Sequence, residues 1–135
     1  MHVKNLNHIN IQTYDMTETI RFYSELLGLE ARIAPERDPS MRQWLYDTRG
    51  VAVIHLNLFG TDNTIPRDVQ PGKPTGAIHH VAFECEGFDE MVERLKARDL
   101  SYGYNEIAEI SLRQLFVNDP NNVLLELNFR DPVTA

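Results

Sequence analysis

Four side chains of metal-ligand type stand at corresponding places in two halves of the chain: His8 and His55 in the first, His80 and Glu126 in the second. Neutral imidazole and carboxylate oxygen are the donors that borderline divalent metals prefer. Two histidines plus one carboxylate, with coordination positions left open, mark non-haem iron sites in particular. Each of these residues taken singly would pass for an ordinary solvated strand residue, because a sheet covered by helices on one side usually turns a polar row to water on the other. The recurrence of such groups at equivalent points of a repeat argues for a shared metal centre. His55 has a second possible role, since an imidazole beside a metal can move a proton near neutral pH.

The repeat itself is visible when the chain is slid along itself by about half its length, with a slip of a single position along the way. His8-Ile9-Asn10-Ile11 aligns with His80-Val81-Ala82-Phe83, Arg42-Gln43-Trp44-Leu45 with Arg113-Gln114-Leu115-Phe116, and Ile54 to Leu58 with Leu125 to Phe129. This divides the chain into a first module at about 4–59, a linker at about 60–76 that carries Pro66, Pro71, Gly72 and Pro74, and a second module at about 77–130.

Each module reads as βαβββ. The first gives a strand at 6–13, a helix at about 17–27 and strands at 30–33, 43–47 and 51–59. Asp15 and Glu18 have the spacing of a helix-opening capping box, and Gly28 can take the left-handed stop. In the second module the strands fall at 78–85, 102–107, 112–117 and 123–129, with a helix at about 88–98. Residues two apart on a strand share a face. Ile9 and Ile11 therefore leave His8, Asn10 and Gln12 on the polar face. By the same parity Val81 and Phe83 leave His80, Ile54 and Leu56 leave His55, and Leu125 and Leu127 leave Glu126. The fold class is α+β: two tandem βαβββ modules forming a curved mixed sheet around a metal-centred cavity, helices outside.

Arg42 and Arg113, matched in the repeat, are candidates to bind a substrate carboxylate or phosphate. Trp44 and Tyr104 are candidates to wall an aromatic substrate, with strand packing as the alternative for each. His2 and His79 read as surface residues and Cys85, which shares parity with Val81 and Phe83, as core filler rather than nucleophile.

The remaining features exclude whole classes. A net charge of −7 without a Lys/Arg cluster speaks against nucleic acid and anionic membranes as partners. Cys85 is the sole cysteine, so neither an intrachain disulfide nor a thiolate metal site can form, which suits a reducing cytoplasm. No apolar run is long enough to span a bilayer, so a soluble cytoplasmic protein is expected. Sheet edges left by two short modules make a homodimer the expected assembly.

"NHINI" and "HHVAF" at the module openings, "IHLNL" and "LELNF" at their ends, and the segment "DPNNVLLELNF" resemble the vicinal oxygen chelate superfamily, also called the glyoxalase, bleomycin resistance and dioxygenase family. The resemblance spans about 4–130. It implies one mononuclear divalent metal held by His8, His80 and Glu126, the set shared by extradiol dioxygenases and fosfomycin-modifying enzymes. His55 falls where glyoxalase I carries a ligand Glu, which leaves it as fourth ligand or as acid/base. The implied chemistry is chelation of two adjacent oxygens of a small substrate, either ring cleavage with Fe2+ or Mn2+, or isomerase and lyase chemistry with Zn2+, Ni2+ or Co2+. A metal-free binding protein of the bleomycin-sequestering kind is the alternative function.

Overall fold

The computed structural model describes residues 1–35, 38–61, 65 and 67–132. Pro66 and part of the expected linker lie outside them. The chain divides into two compact units, Met1–Pro71 and Gly72–Ala135, and each has the βαβββ order expected from the sequence. Hydrogen bonding assembles the eight strands into two four-stranded sheets, one per unit.

In the first unit the strands are β1 (Ile9–Thr13), β2 (Glu30–Ile33), β3 (Arg42–Tyr46) and β4 (Ala52–Leu58). They lie in the order β1-β4-β3-β2, with β1 parallel to β4 and the other neighbours antiparallel. A parallel neighbour needs a long crossover, which the helical segment and the β2–β3 hairpin together supply. Helix α1 (Met16–Arg21) opens on Asp15, whose side chain accepts from the Glu18 backbone amide, and passes into a wider π-helical turn, Phe22–Leu26. Gly28, at φ 76°, ends it, with the Leu29 amide reaching back to the Tyr23 carbonyl at 3.1 Å. The helical face that buries Phe22, Tyr23 and Leu26 joins Ile11, Leu45, Ile54 and Leu56 in the core. Burial of such side chains stabilises a fold by roughly 25 cal/mol per Å² of apolar surface.

The second unit repeats the arrangement with β5 (Val81–Cys85), α2 (Phe88–Ala97), β6 (Gly103–Ile107), β7 (Leu112–Asn118) and β8 (Leu124–Phe129), ordered β5-β8-β7-β6. A short 3-10 turn, Ala108–Ile110, joins β6 to β7 and was not legible in the sequence. Helix α2 lays Phe88, Met91 and Leu95 in the core with Leu115, Val117, Leu125, Leu127 and Phe129.

The β3–β4 and β7–β8 hairpins are built alike. Asp47 accepts from the backbone amides of Arg49 and Val51, and Asp119 from those of Asn121 and Val123. Gly50 and Asn122 take the left-handed conformation at φ 79° and 66°. Asn is one of the few side-chain-bearing residues that tolerates it.

One relation inferred from the repeat changes in the structure. Leu45 pairs with Ile54 as Val117 pairs with Leu125, which makes Leu45 the equivalent of Val117 and Ile54 the equivalent of Leu125. The offset between equivalents is therefore longer by a single position on β3 than on β4. The difference is a bulge: Leu45 pairs with Ile54 but Tyr46 pairs with Ala52, so Val53 is the extra residue in β4. Ahead of that bulge the longer offset holds. Arg42, opposite Asn57, therefore corresponds to Gln114, opposite Asn128; Arg113 stands opposite Phe129 instead. A slip of one position moves a side chain to the other face, and Arg42 and Arg113 are not equivalents.

Candidate metal centre

In the first unit β4 carries His55 at its middle, with Asn10 of β1 on one side and Trp44 of β3 on the other. His8 lies just before β1, on the exposed approach to the strand rather than within it. Its ring stacks on His55 at 3.6 Å between centroids, with planes 8° apart. Trp44 stacks on the other face of the His55 ring at 4.1 Å and 10°. The result is a run of three parallel rings with His55 in the middle.

That position controls the protonation of His55. Burial, reinforced by the neighbouring His8, pulls its pKa down to about 4, against which a hydrogen bond with the Ala52 backbone works only in part. A positive charge on a ring covered on both faces would be poorly solvated, so His55 stays neutral at neutral pH. A ring nitrogen bonded to a backbone carbonyl leaves the other with its lone pair, the tautomer that a metal ligand uses. His8 is set the same way: Nδ1 meets the Asn7 side-chain oxygen at 2.7 Å, an acceptor, which leaves Nε2 as the free donor of electrons.

In the second unit His80 lies immediately before β5 and Glu126 at the middle of β8, opposite Ala82. His80 Nε2 is 3.8 Å from Glu126 Oε1. His79, exposed as expected from the sequence, brings its Nδ1 to 3.0 Å from His80 Nδ1. It is thus more than a bystander: a neighbour on Nδ1 fixes which nitrogen of His80 points at Glu126.

Glu126 is held from its other side by Asn128, the end of a run of three amide side chains. Asn128 donates to Glu126 Oε2 at 3.0 Å, Gln114 donates to Asn128 at 3.0 Å, and Asn105 donates to Gln114 at 2.8 Å. Asn128 shares the polar parity of Glu126 and could have been found from it. Gln114 and Asn105 are reached only through the strand register, which the sequence did not give.

The substrate-binding candidates separate. Trp44 and Arg42 share the β3 parity that faces His55 and Asn57. Arg113 and Tyr104 lie on the opposite face of the second sheet from Glu126. The Arg113 guanidinium sits 3.9 Å over the Phe88 ring and 3.7 Å from Asp131, and Tyr104 packs edge-on against Phe88 at 5.9 Å. Those contacts tie Arg113 to the start of α2, while Tyr104 stays exposed and gives its hydroxyl to Glu106 at 3.2 Å. Cys85 is half-buried, and desolvation pushes its thiol up to about 11.

Among the described residues, no three or more His, Cys, Asp or Glu side chains gather as a ready-made ion site. The ligand-type groups come as one pair in each unit.

A family model described as the Glyoxalase/Bleomycin resistance protein/Dioxygenase superfamily matches residues 5–127. The chain belongs to this superfamily. It is 30% identical over 136 residues to a protein named ethylmalonyl-CoA/methylmalonyl-CoA epimerase from Cereibacter sphaeroides, covering 90% of this chain and 95% of that one. It is 25% identical over 129 residues to a protein named Glyoxylase I 4 from Arabidopsis thaliana, covering 94% and 71%. A crystal structure of a virulence protein from Salmonella typhimurium has the same fold, with a TM-score of 0.73 at 20% identity over 97% of this chain and 100% of that one. Superfamily members generally use a divalent metal, bind small molecules and typically form dimers. Among the described residues, no helix is long and apolar enough to cross a membrane.

Proposed function

We propose that the chain is a metal-dependent enzyme of the glyoxalase superfamily whose ligand set is drawn from His8, His55, His80 and Glu126, and whose substrate is a small molecule with two adjacent oxygens. The observation that carries this reading is the paired arrangement just described. Two imidazoles stack at 3.6 Å in one module, and an imidazole and a carboxylate face each other at 3.8 Å in the other; in each, one group precedes the first strand and one lies on the last. The donor chemistry fits a borderline divalent ion: three imidazoles, of which His8 and His55 have a partner that leaves one nitrogen with its lone pair, and one carboxylate. A bound divalent ion would supply Lewis acidity to negative charge developing on a substrate oxygen.

Between the two roles left open for His55, its environment favours ligand. An imidazole with a pKa of about 4 is a weak base at pH 7 and a poor proton shuttle there, but it offers its lone pair across the physiological range. Arg42 and Trp44, on the side of the first sheet that carries His55, are proposed to meet the substrate. The names of both curated relatives lead us to favour isomerase or lyase chemistry, in which a proton moves at carbon beside a chelating oxygen, over ring cleavage.

The reading is tested by elemental analysis of chain purified without a histidine tag or chelator, then reconstituted with Zn2+, Ni2+, Co2+, Mn2+ or anaerobic Fe2+. Near-stoichiometric metal is expected in the wild type and in His2→Ala. His80→Ala, Glu126→Ala and His55→Ala should lose it while keeping their circular dichroism. Full metal retention by the first two of these variants overturns the ligand assignment. Absence of metal from the wild type under every condition overturns the enzyme reading in favour of a metal-free binding module.

A further inference from the structure

Resting on the ligand role just proposed for Glu126, we infer that Asn128, Gln114 and Asn105 form a positioning relay that fixes which oxygen of Glu126 is presented for coordination. The bonds run in one direction. Each amide gives its NH2 group toward the carboxylate, and Gln114 and Asn128 each accept the preceding donor on the carbonyl oxygen, so the run goes from Asn105 through Gln114 and Asn128 to Glu126 Oε2. Gln114 is 7% exposed, so its amide is shielded from competing water. A buried carboxamide that lost one partner would leave a polar atom unsatisfied, and this locks the chain's orientation.

The consequence falls on Glu126. With Oε2 engaged by Asn128, Oε1 is the oxygen turned toward His80 Nε2 and the one that would be presented to an ion. A carboxylate free to rotate would offer both oxygens in turn. Hydrogen bonds to the non-coordinating atoms of a ligand set its orientation and its basicity, and their loss typically weakens metal affinity about 10- to 100-fold.

The register places different side chains at the matching positions of the first module. Asn57 occupies the place of Asn128, but Arg42 stands where Gln114 does and His55 where Glu126 does. A cation opposite Asn57 cannot continue a donor chain, because a guanidinium has no acceptor. An all-amide relay therefore accompanies the carboxylate, whereas the matching positions of the first module hold a guanidinium and a neutral ring.

The test is titration of metal-free full-length chain with Co2+ alone, followed by calorimetry and by the visible absorption of the bound ion. Asn128→Leu is expected to weaken Co2+ about 10- to 100-fold, Gln114→Met by less, and Asn105→Ala by least, the order falling with distance from Glu126. The visible band of Asn128→Leu should also change in intensity as the second oxygen becomes available, which a loss of packing elsewhere would not produce. Asn105→Ala, on an exposed strand, keeps the test open should the Gln114 variant fail to fold. Glu126→Gln serves as the reference. If Glu126→Gln loses Co2+ while Asn128→Leu binds it as the wild type does with an unchanged spectrum, the relay is overturned and the ligand assignment stands. If neither Glu126→Gln nor His80→Ala weakens Co2+, the ligand assignment itself fails and the relay's role fails with it.

Discussion

The stack of His8, His55 and Trp44 shows how neighbours decide what a side chain can do. His55 has a folded-state pKa of about 4 and an ordinary unfolded value near 6.5. Between those values the unfolded chain takes up the proton first. The contribution of His55 to stability is therefore fully present above pH 6.5 and is lost as the pH falls from there toward 4. In metal-free protein, urea denaturation followed by Trp44 fluorescence should give a midpoint that drops between pH 7 and pH 5. His55→Gln should flatten that drop, and an identical pH slope in the variant would contradict the account. Cys85 offers a second check at this scale. A thiol pushed up to about 11 presents very little thiolate at pH 8, so native protein should react with iodoacetamide roughly two orders of magnitude more slowly than urea-unfolded protein. Comparable rates would place the thiol in solvent. His8, His55, His80 and Glu126 could be singled out from sequence because strand parity separates faces by residue type alone. The partners that tune them were hidden, since Asn7, Ala52, His79 and Gln114 act through geometry that parity does not encode.

At the scale of elements, the βαβββ order was readable because each strand alternates and each helix is signed at its ends. The Asp15 cap and the Gly28 stop stand where the sequence places them. The β3 and β7 register was not readable. The extra residue at Val53 shortens the offset of the repeat by a single position, and an alignment that carried the shorter offset back past the bulge put Arg42 and Arg113 together. Helix α2 shows a second limit. The residue before the helix is Gly87, which has no side chain to cap the free amides, and Asp131 supplies the acceptor, Oδ2 lying 3.4 Å from the Phe88 amide. No local pattern announces a cap from so far along the chain. The same carboxylate faces Arg113, which lies over the Phe88 ring. Asp131→Ala should therefore destabilise the chain by about 1 to 2 kcal/mol, the cost of losing an N-cap together with a partly buried ion pair. Arg113→Ala should cost about 1 kcal/mol through the lost ring contact. Equilibrium urea unfolding measures both. Neither change should alter metal content; metal loss in Arg113→Ala would return that residue to the candidate site.

For the whole molecule, the question is what the repeat achieves by being asymmetric. The modules share their strand order, their Asp-capped hairpins and a ligand-type group on corresponding strands, yet one presents two neutral rings and the other a ring and a buttressed carboxylate. Two equal sites, one in each module, would call for two complete ligand sets, and among the described residues neither module gathers more than a pair. The proposed ligand set calls for one ion per chain. It makes a definite prediction: metal content of one equivalent per chain, falling toward zero in His8→Ala and equally in Glu126→Ala, although these residues belong to different modules. Two equivalents in the wild type, with each variant losing only one, would mean that the modules bind independently. Sedimentation of the same samples should give a particle of twice the mass of the 15.6 kDa chain, in keeping with the dimers typical of the superfamily. Because metal content is scored per chain, a dimer does not blur the count. A chain fraction of one half in the wild type would show that two copies complete one site together, and would move the unit of function from the chain to the pair.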